Sequence, residues 1–282
     1  MPCSGLTFAA RCAVVLILSG CAAKAPPAEP ETDVQPQVSQ FVAESGHSPP
    51  FARTPYAPFT RAEAVSIAQQ EWRLFGERVD DNPPHSNYDE GPQRLPGLWE
   101  RIGEYWWLGQ DSGRRESAWT GMHDENGQQI DDSREDYYAW SAAFISYVMR
   151  TAGAGARFPY APSHYVYINI GKEMKLGRTS GWAMIAERPD EYAPQPGDLI
   201  CFSRTRRPVT YERLPERHFT AHCDIVVARE AGQISVIGGN VDHAVTLKHV
   251  PVTDDGRLGD RRDEVLDGRY PWFVVLRMQY DR

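Results

Sequence analysis

The segment Trp140-Ser141-Ala142-Ala143-Phe144-Ile145-Ser146-Tyr147-Val148-Met149-Arg150-Thr151 is the strongest constraint on how this chain folds. It is too apolar around its whole circumference to lie on a surface, so it predicts a helix buried on every side. The helix is expected to begin close to Tyr138 or Ser141 and to end at Gly153. A fold built on it must supply cover from several directions.

The flanking patterns supply that cover. Thr60-Arg61-Ala62-Glu63 is a capping box, and Ala64, Ile67, Ala68, Glu71, Trp72 and Phe75 follow at helical spacing, predicting a helix over 61–75. A second helix is expected over Leu98–Leu108, with Trp99, Ile102, Trp106 and Trp107 as an aromatic face. Rings of that size bury too much area to be read first as a ligand platform. A further helix is expected around Tyr165–Leu176. The last third changes character: Asp198–Ser203, Asp224–Arg229, Gln233–Ile237, Val245–Val252 and Trp272–Met278 are short Val- and Ile-rich runs divided by Gly, Pro and Asp. Helices followed by strands predict an α+β domain, an antiparallel sheet packed on the central buried helix, with no internal repeat.

The N-terminus reads as a targeting signal. A short start ends at Arg11, an apolar run covers Cys12–Leu18, and Ser19-Gly20-Cys21 closes it. A span of the hydrocarbon core needs about 20 apolar residues, far more than this run provides. Leu18-Ser19-Gly20-Cys21 resembles a lipobox, which implies cleavage after residue 20, lipid on Cys21, and, since Ala22 rather than Asp follows, delivery to the outer membrane. Residues 21–58, rich in Pro, Ala and Glu, are expected to form a disordered tether. The expected organisation is therefore a signal over 1–20, the tether over 21–58, an N-terminal helical extension over 59–118, and an α+β domain over 119–282.

Charge and cysteine count fit that address. The chain carries 30 Lys and Arg against 38 Asp and Glu, a net −8, and losing Arg11 with the signal makes the balance one unit more acidic. Nothing in it suggests a nucleic-acid partner. Of five cysteines, Cys3 and Cys12 leave with the signal and Cys21 takes the lipid. Cys201 and Cys223 remain, as a disulfide of an oxidising compartment or as two buried thiols.

Three stretches carry the chemistry: Ala139-Trp140-Ser141-Ala142-Ala143-Phe144 opening the buried helix, Ala221-His222-Cys223-Asp224-Ile225-Val226 opening a strand, and Gly238-Gly239-Asn240 closing the next. With Pro196-Gly197-Asp198-Leu199-Ile200, their order and spacing over roughly 119–280 resemble the CHAP and NlpC-type cell-wall peptidases of the papain-like superfamily. Within it the match is closest to the bacterial family called domain of unknown function 2272. The resemblance implies a papain-like fold with the nucleophile at Ser141, the base at His222 and an orienting residue at Asn240. Tyr138, Trp140 and His164 are candidate substrate contacts. No cofactor and no metal are implied.

This sequence departs from the peptidase pattern at the nucleophile, where serine stands in place of cysteine. A helix N-terminus helps a thiol with pKa near about 8.5 to ionise, whereas a hydroxyl must lose its proton to a base during attack. Ser141 is accordingly expected either to work through His222 or to mark a site that has lost hydrolysis. It is also a natural N-cap, His222 a natural core histidine, and Gly-Gly-Asn a natural turn. Cys223 or Cys201 as nucleophile is a weaker alternative, because Cys223 and His222 as strand neighbours face opposite ways. A zinc site from His218, His222, Cys223 and His243 lacks familiar spacing. Arg204–Thr220 joins two strands and is read as either a substrate gate or a solvated loop.

The expected function is amide cleavage in peptidoglycan by a lipid-anchored envelope protein. Two alternatives stay open. One is a catalytically silent protein that binds peptidoglycan or an envelope protein partner in the same cleft; the other is a serine esterase or acyltransferase.

Overall fold

The computed structural model describes residues 58–82, 91–110, 114–260 and 264–281. The expected signal, lipid site and most of the tether lie outside the described residues. A compact unit covers Pro55–Arg282. Its architecture is α+β, with four α-helices and one antiparallel six-stranded sheet among the described residues.

The buried helix forms where its composition demands. Helix α3 (Ser141–Thr151) is buried from Ser141 through Met149, and Trp140, not Ser141, is its N-cap. Helix α1 (Arg61–Leu74) starts on Thr60, whose side chain accepts from the Glu63 amide at 3.2 Å. Helix α2 (Leu98–Leu108) buries Ile102, Tyr105 and Trp106, but Trp107 is 69 % exposed. Adjacent residues on a helix are about 100° apart, so Trp106 and Trp107 cannot share one face. Both helices pack on α3, α1 also meeting the sheet. Helix α4 (Tyr165–Lys175) lies over the sheet's other flank.

The strands are β1 (Met184–Glu187), β2 (Leu199–Ser203), β3 (Ala221–Glu230), β4 (Gln233–Val241), β5 (Ala244–Pro251) and β6 (Trp272–Met278). Their order across the sheet is β1-β6-β2-β3-β4-β5, every pair antiparallel. Strand β1 has no counterpart among the expected runs. Successive strand residues face opposite sides, and both sides are apolar here. Leu199, Cys201, Cys223, Ile225, Ile237 and Leu276 face the helices. Ile200, Phe202, Val226, Val236, Trp272 and Val275 form a second core with Val252, Leu258 and Tyr270.

Cys201 and Cys223 stand opposite each other in the β2–β3 register and form a disulfide. That removes both thiols as nucleophiles and Cys223 as a metal ligand. The 204–220 connection is fastened by buried Val209, Tyr211, Leu214 and Phe219, so only parts of it are free to act as a solvated loop.

Candidate functional site

The antiparallel order brings the end of β2, the start of β3, the end of β4 and the start of β6 to one edge of the domain. A cleft of about 360 Å³ opens there, lined among others by Phe202, Arg204, His222, Asn240, Lys248 and Tyr270. Ala139, just before α3, forms part of the wall. His222 and Asn240 therefore share one cavity, as their positions on adjacent strands require.

Ser141 is placed differently from the expected arrangement. Its Oγ lies 2.7 Å from Nε2 of His164, the residue preceding α4, and both are buried at 5 % and 4 % exposure. Nδ1 of His164 is in turn hydrogen-bonded to the Tyr167 hydroxyl one helical turn on. Burial, and then the neighbouring His222, push His164 well below the usual imidazole range, so it is neutral near pH 7. Burial pushes the Tyr167 phenol up, keeping it a hydroxyl. A neutral ring with Nδ1–H turned to Tyr167 has its Nε2 lone pair free to receive the Ser141 proton.

His222 lies beside this pair, its ring centroid 5.4 Å from that of His164. Its own partner is not Asn240. Nε2 of His222 is 3.0 Å from Oδ1 of Asp224, two residues along the same strand, and the ring packs against Phe202 at 5.2 Å. Asp224 Oδ2 is 2.8 Å from Lys248 Nζ, which reaches across β4 from β5. Burial works to raise the Asp224 carboxyl, but Lys248 and His222 outweigh it and hold the group far below the usual carboxylate range. His222 is itself held low, chiefly by burial.

Glycines make the approach between strands. A Cβ on Gly238 would fall 2.8 Å from His222 Nε2 and closer still to Asp224 Oδ1, and one on Gly239 would strike Phe144 and Trp140. Asn240 follows with φ of +56°, in the left-handed region that Asn tolerates better than most residues. Asn240 is among the residues that line the cleft.

Tyr138 and Trp140 are core residues rather than cleft walls. Tyr138 packs on Trp119 at 4.6 Å, and Trp140 Nε1 donates to Gln93 Oε1 at 3.0 Å within an aromatic cluster with Phe75 and Tyr105. Asp224 and Lys248 were not among the expected site residues. Asp224 had a readable signal, since a residue two places from His222 on a strand shares its face. Lys248 had only a weak one, a lone cation inside the apolar run Val245–Val252.

Among the described residues no group of three or more His, Cys, Asp or Glu side chains is placed to hold a metal ion. No described helix is long and apolar enough to cross a membrane.

Neither the curated proteins nor the solved structures provide a match to the chain. A family model described as "uncharacterized protein conserved in bacteria (DUF2272)" matches residues 93–278, a stretch that starts at the Trp140 partner Gln93, takes in α2 and runs to the end of β6. With about two thirds of its length inside that match, the chain belongs to the DUF2272 family of bacterial proteins.

Proposed function

We propose that this chain is an envelope lipoprotein, anchored through Cys21 to the outer membrane, whose folded domain is a papain-like hydrolase acting on an amide bond in peptidoglycan. The observation that carries the chemistry is the 2.7 Å contact between Ser141 Oγ and His164 Nε2, with the ring kept neutral by burial. Ser141 attacks the carbonyl carbon, its proton passes to His164 Nε2, and the same nitrogen then protonates the departing amine. Backbone amides at the start of α3 contribute to holding the oxyanion. Water finally cleaves the acyl ester on Ser141. His164 thus takes the role that the family resemblance assigned to His222, and His222 forms the cleft side of the same site. The substrate class rests on the resemblance and the lipobox, since a fold by itself does not define a substrate.

The test is release of fragments from purified sacculi by the native domain, read by mass. Release that is lost in both Ser141→Ala and His164→Ala proteins supports the proposal; equal release by all three overturns it. One observation favours a second proposal, a silent protein that binds peptidoglycan or an envelope partner in the cleft: Ser141 is 5 % exposed and is not among the cleft-lining residues. Sacculus binding that survives Ser141→Ala, without fragment release by the native protein, would favour it.

A further inference from the structure

Two side chains next to His222 have no part in the Ser141 chemistry. Lys248 is 1 % exposed and Asp224 fully buried, and together with His222 they run as a continuous polar chain through an otherwise apolar core of Phe202, Val226, Val236 and Trp272. Burying an ammonium and a carboxylate is expensive even when they are paired, and a hydrophobic pair of similar volume generally serves stability as well or better. The chain meets the cleft at both ends, because Lys248 and His222 both line it. Lys248 is held by Asp224 Oδ2 and by the faces of Tyr270 at 4.8 Å and Phe202 at 5.5 Å. Asp224, which is not among the cleft-lining residues, spends its other oxygen on His222 Nε2, and His222 stands at the cleft wall with Lys248. Gly238 lacks the Cβ that would block this arrangement.

We infer that Lys248, Asp224 and His222 form a proton-handling chain, with Lys248 as its positioning residue, that presents His222 Nδ1 to the cleft as a base. An ionised Asp224 accepts from His222 Nε2–H, which fixes the tautomer and leaves the lone pair on Nδ1. Nδ1 then takes a proton from a water, hydroxyl or amine of the cleft ligand, and the imidazolium formed is balanced by Asp224. Lys248 keeps Asp224 charged while the ring is neutral. Four charged or titratable groups bear on the ring: Asp224 on its own strand, Lys248 from β5, Arg204 from the end of β2 and His164 from the start of α4. Only the use made of the base depends on the hydrolase proposal; the chain itself does not.

The test is nitrogen-15 NMR of the histidine side chains in the folded protein. In the native protein His222 should be the Nε2–H tautomer near neutral pH. In Lys248→Met the uncompensated Asp224 charge should raise the His222 titration midpoint by about one pH unit or more, while Lys248→Arg should keep it near the native value. An Nδ1–H tautomer in the native protein, or a midpoint unmoved in Lys248→Met, overturns the inference. Should Lys248→Met fail to fold, the native tautomer decides alone. Ser141→Ala should leave the His222 spectrum unchanged, so an inert sacculus assay beside the expected tautomer counts against hydrolysis and not against the chain.

Discussion

Ser141 Oγ and His164 Nε2 meet at 2.7 Å although the two residues lie 23 apart in sequence. The contact joins the first residue of the buried helix to the residue that precedes α4. It separates two histidines that sequence order alone would interchange. If Ser141 is the nucleophile, His164→Ala removes its proton acceptor and lowers fragment release by about 100-fold or more. His222→Ala acts on the cleft side, and its effect should differ in pH profile from that of His164→Ala. Rates measured across neutral pH on sacculi decide this; a His164→Ala protein with native rates would remove His164 from the chemistry.

Gly238 is where the sheet tolerates no side chain. An alanine there would press its methyl against Asp224 Oδ1 and His222 Nε2, forcing β3 or β4 to shift. Overpacking of this kind costs about 1–3 kcal/mol, and the His222–Asp224 bond should break with it. Gly268→Ala is the control, because a Cβ there meets nothing within 4 Å. Urea denaturation of the two variants should show a clear loss for Gly238→Ala and little for Gly268→Ala; equal midpoints would mean that the strands yield freely.

Acid should weaken the fold in two steps of the same sign. His164 and His222 are both held below their ordinary 6.5 in the folded protein. As pH falls through about 6.5 the unfolded chain takes up protons that the folded one refuses, so stability is present above that pH and is lost below it. Each histidine contributes a slope of up to about 1.4 kcal/mol per pH unit. Asp224 is also held low, so its contribution is lost further down, below its ordinary 3.8. Denaturation midpoints should therefore already fall between about pH 6.5 and 5, and His164→Gln should flatten that first limb. A flat profile there would show that neither ring is kept neutral by burial.

The parts of this fold that could be read from the residues are those set by local pattern. The apolar run at 141–151, the capping box at Thr60 and five alternating or apolar runs each produced an element where expected. Strand β1, four residues between Gly181 and Pro189, is too short to display a period and exists because β6 offers it an edge. The site was legible in its members and not in its pairing. Ser141, His164 and His222 carry recognisable signals, but which imidazole meets the hydroxyl depends on how the 152–164 loop returns α4 to the start of α3. Lys248 is harder still, because its contact with Asp224 exists only once β4 lies between β3 and β5.

The disulfide closes a sequence separation of 22 between the two central strands. Loop closure of that length in the unfolded chain is worth about 3 kcal/mol. Cys201→Ala combined with Cys223→Ala should lower unfolding free energy by about 2–4 kcal/mol, and reducing agent should shift the native protein's urea midpoint but not the variant's. Insensitivity of both to reductant would mean that the two sulfurs are not bonded in the folded protein.

Glu71 is the pin that joins α1 and α2 to α3. Fully buried on α1, it accepts from Arg101 Nε at 2.8 Å and Tyr105 at 2.7 Å on α2, and from Tyr147 at 3.3 Å on α3. Burial lifts Tyr105 well above the ordinary phenol range and Tyr147 to about 12, so both remain donors. Removing the carboxylate would leave the buried Tyr105 hydroxyl without its acceptor, and leave Arg101 with only Glu104 and Tyr147 as partners. Glu71→Leu should therefore cost about 1–3 kcal/mol, the usual result of leaving a buried polar group without its partner. Glu71→Gln keeps an acceptor and should cost roughly half of that. Arg101→Met combined with Glu71→Leu should cost less than the separate losses added together, since neither of these two groups is then left without the other. Strict additivity in that cycle, measured by urea denaturation, would mean that Glu71 and Arg101 act independently and that apolar packing alone joins α1 and α2.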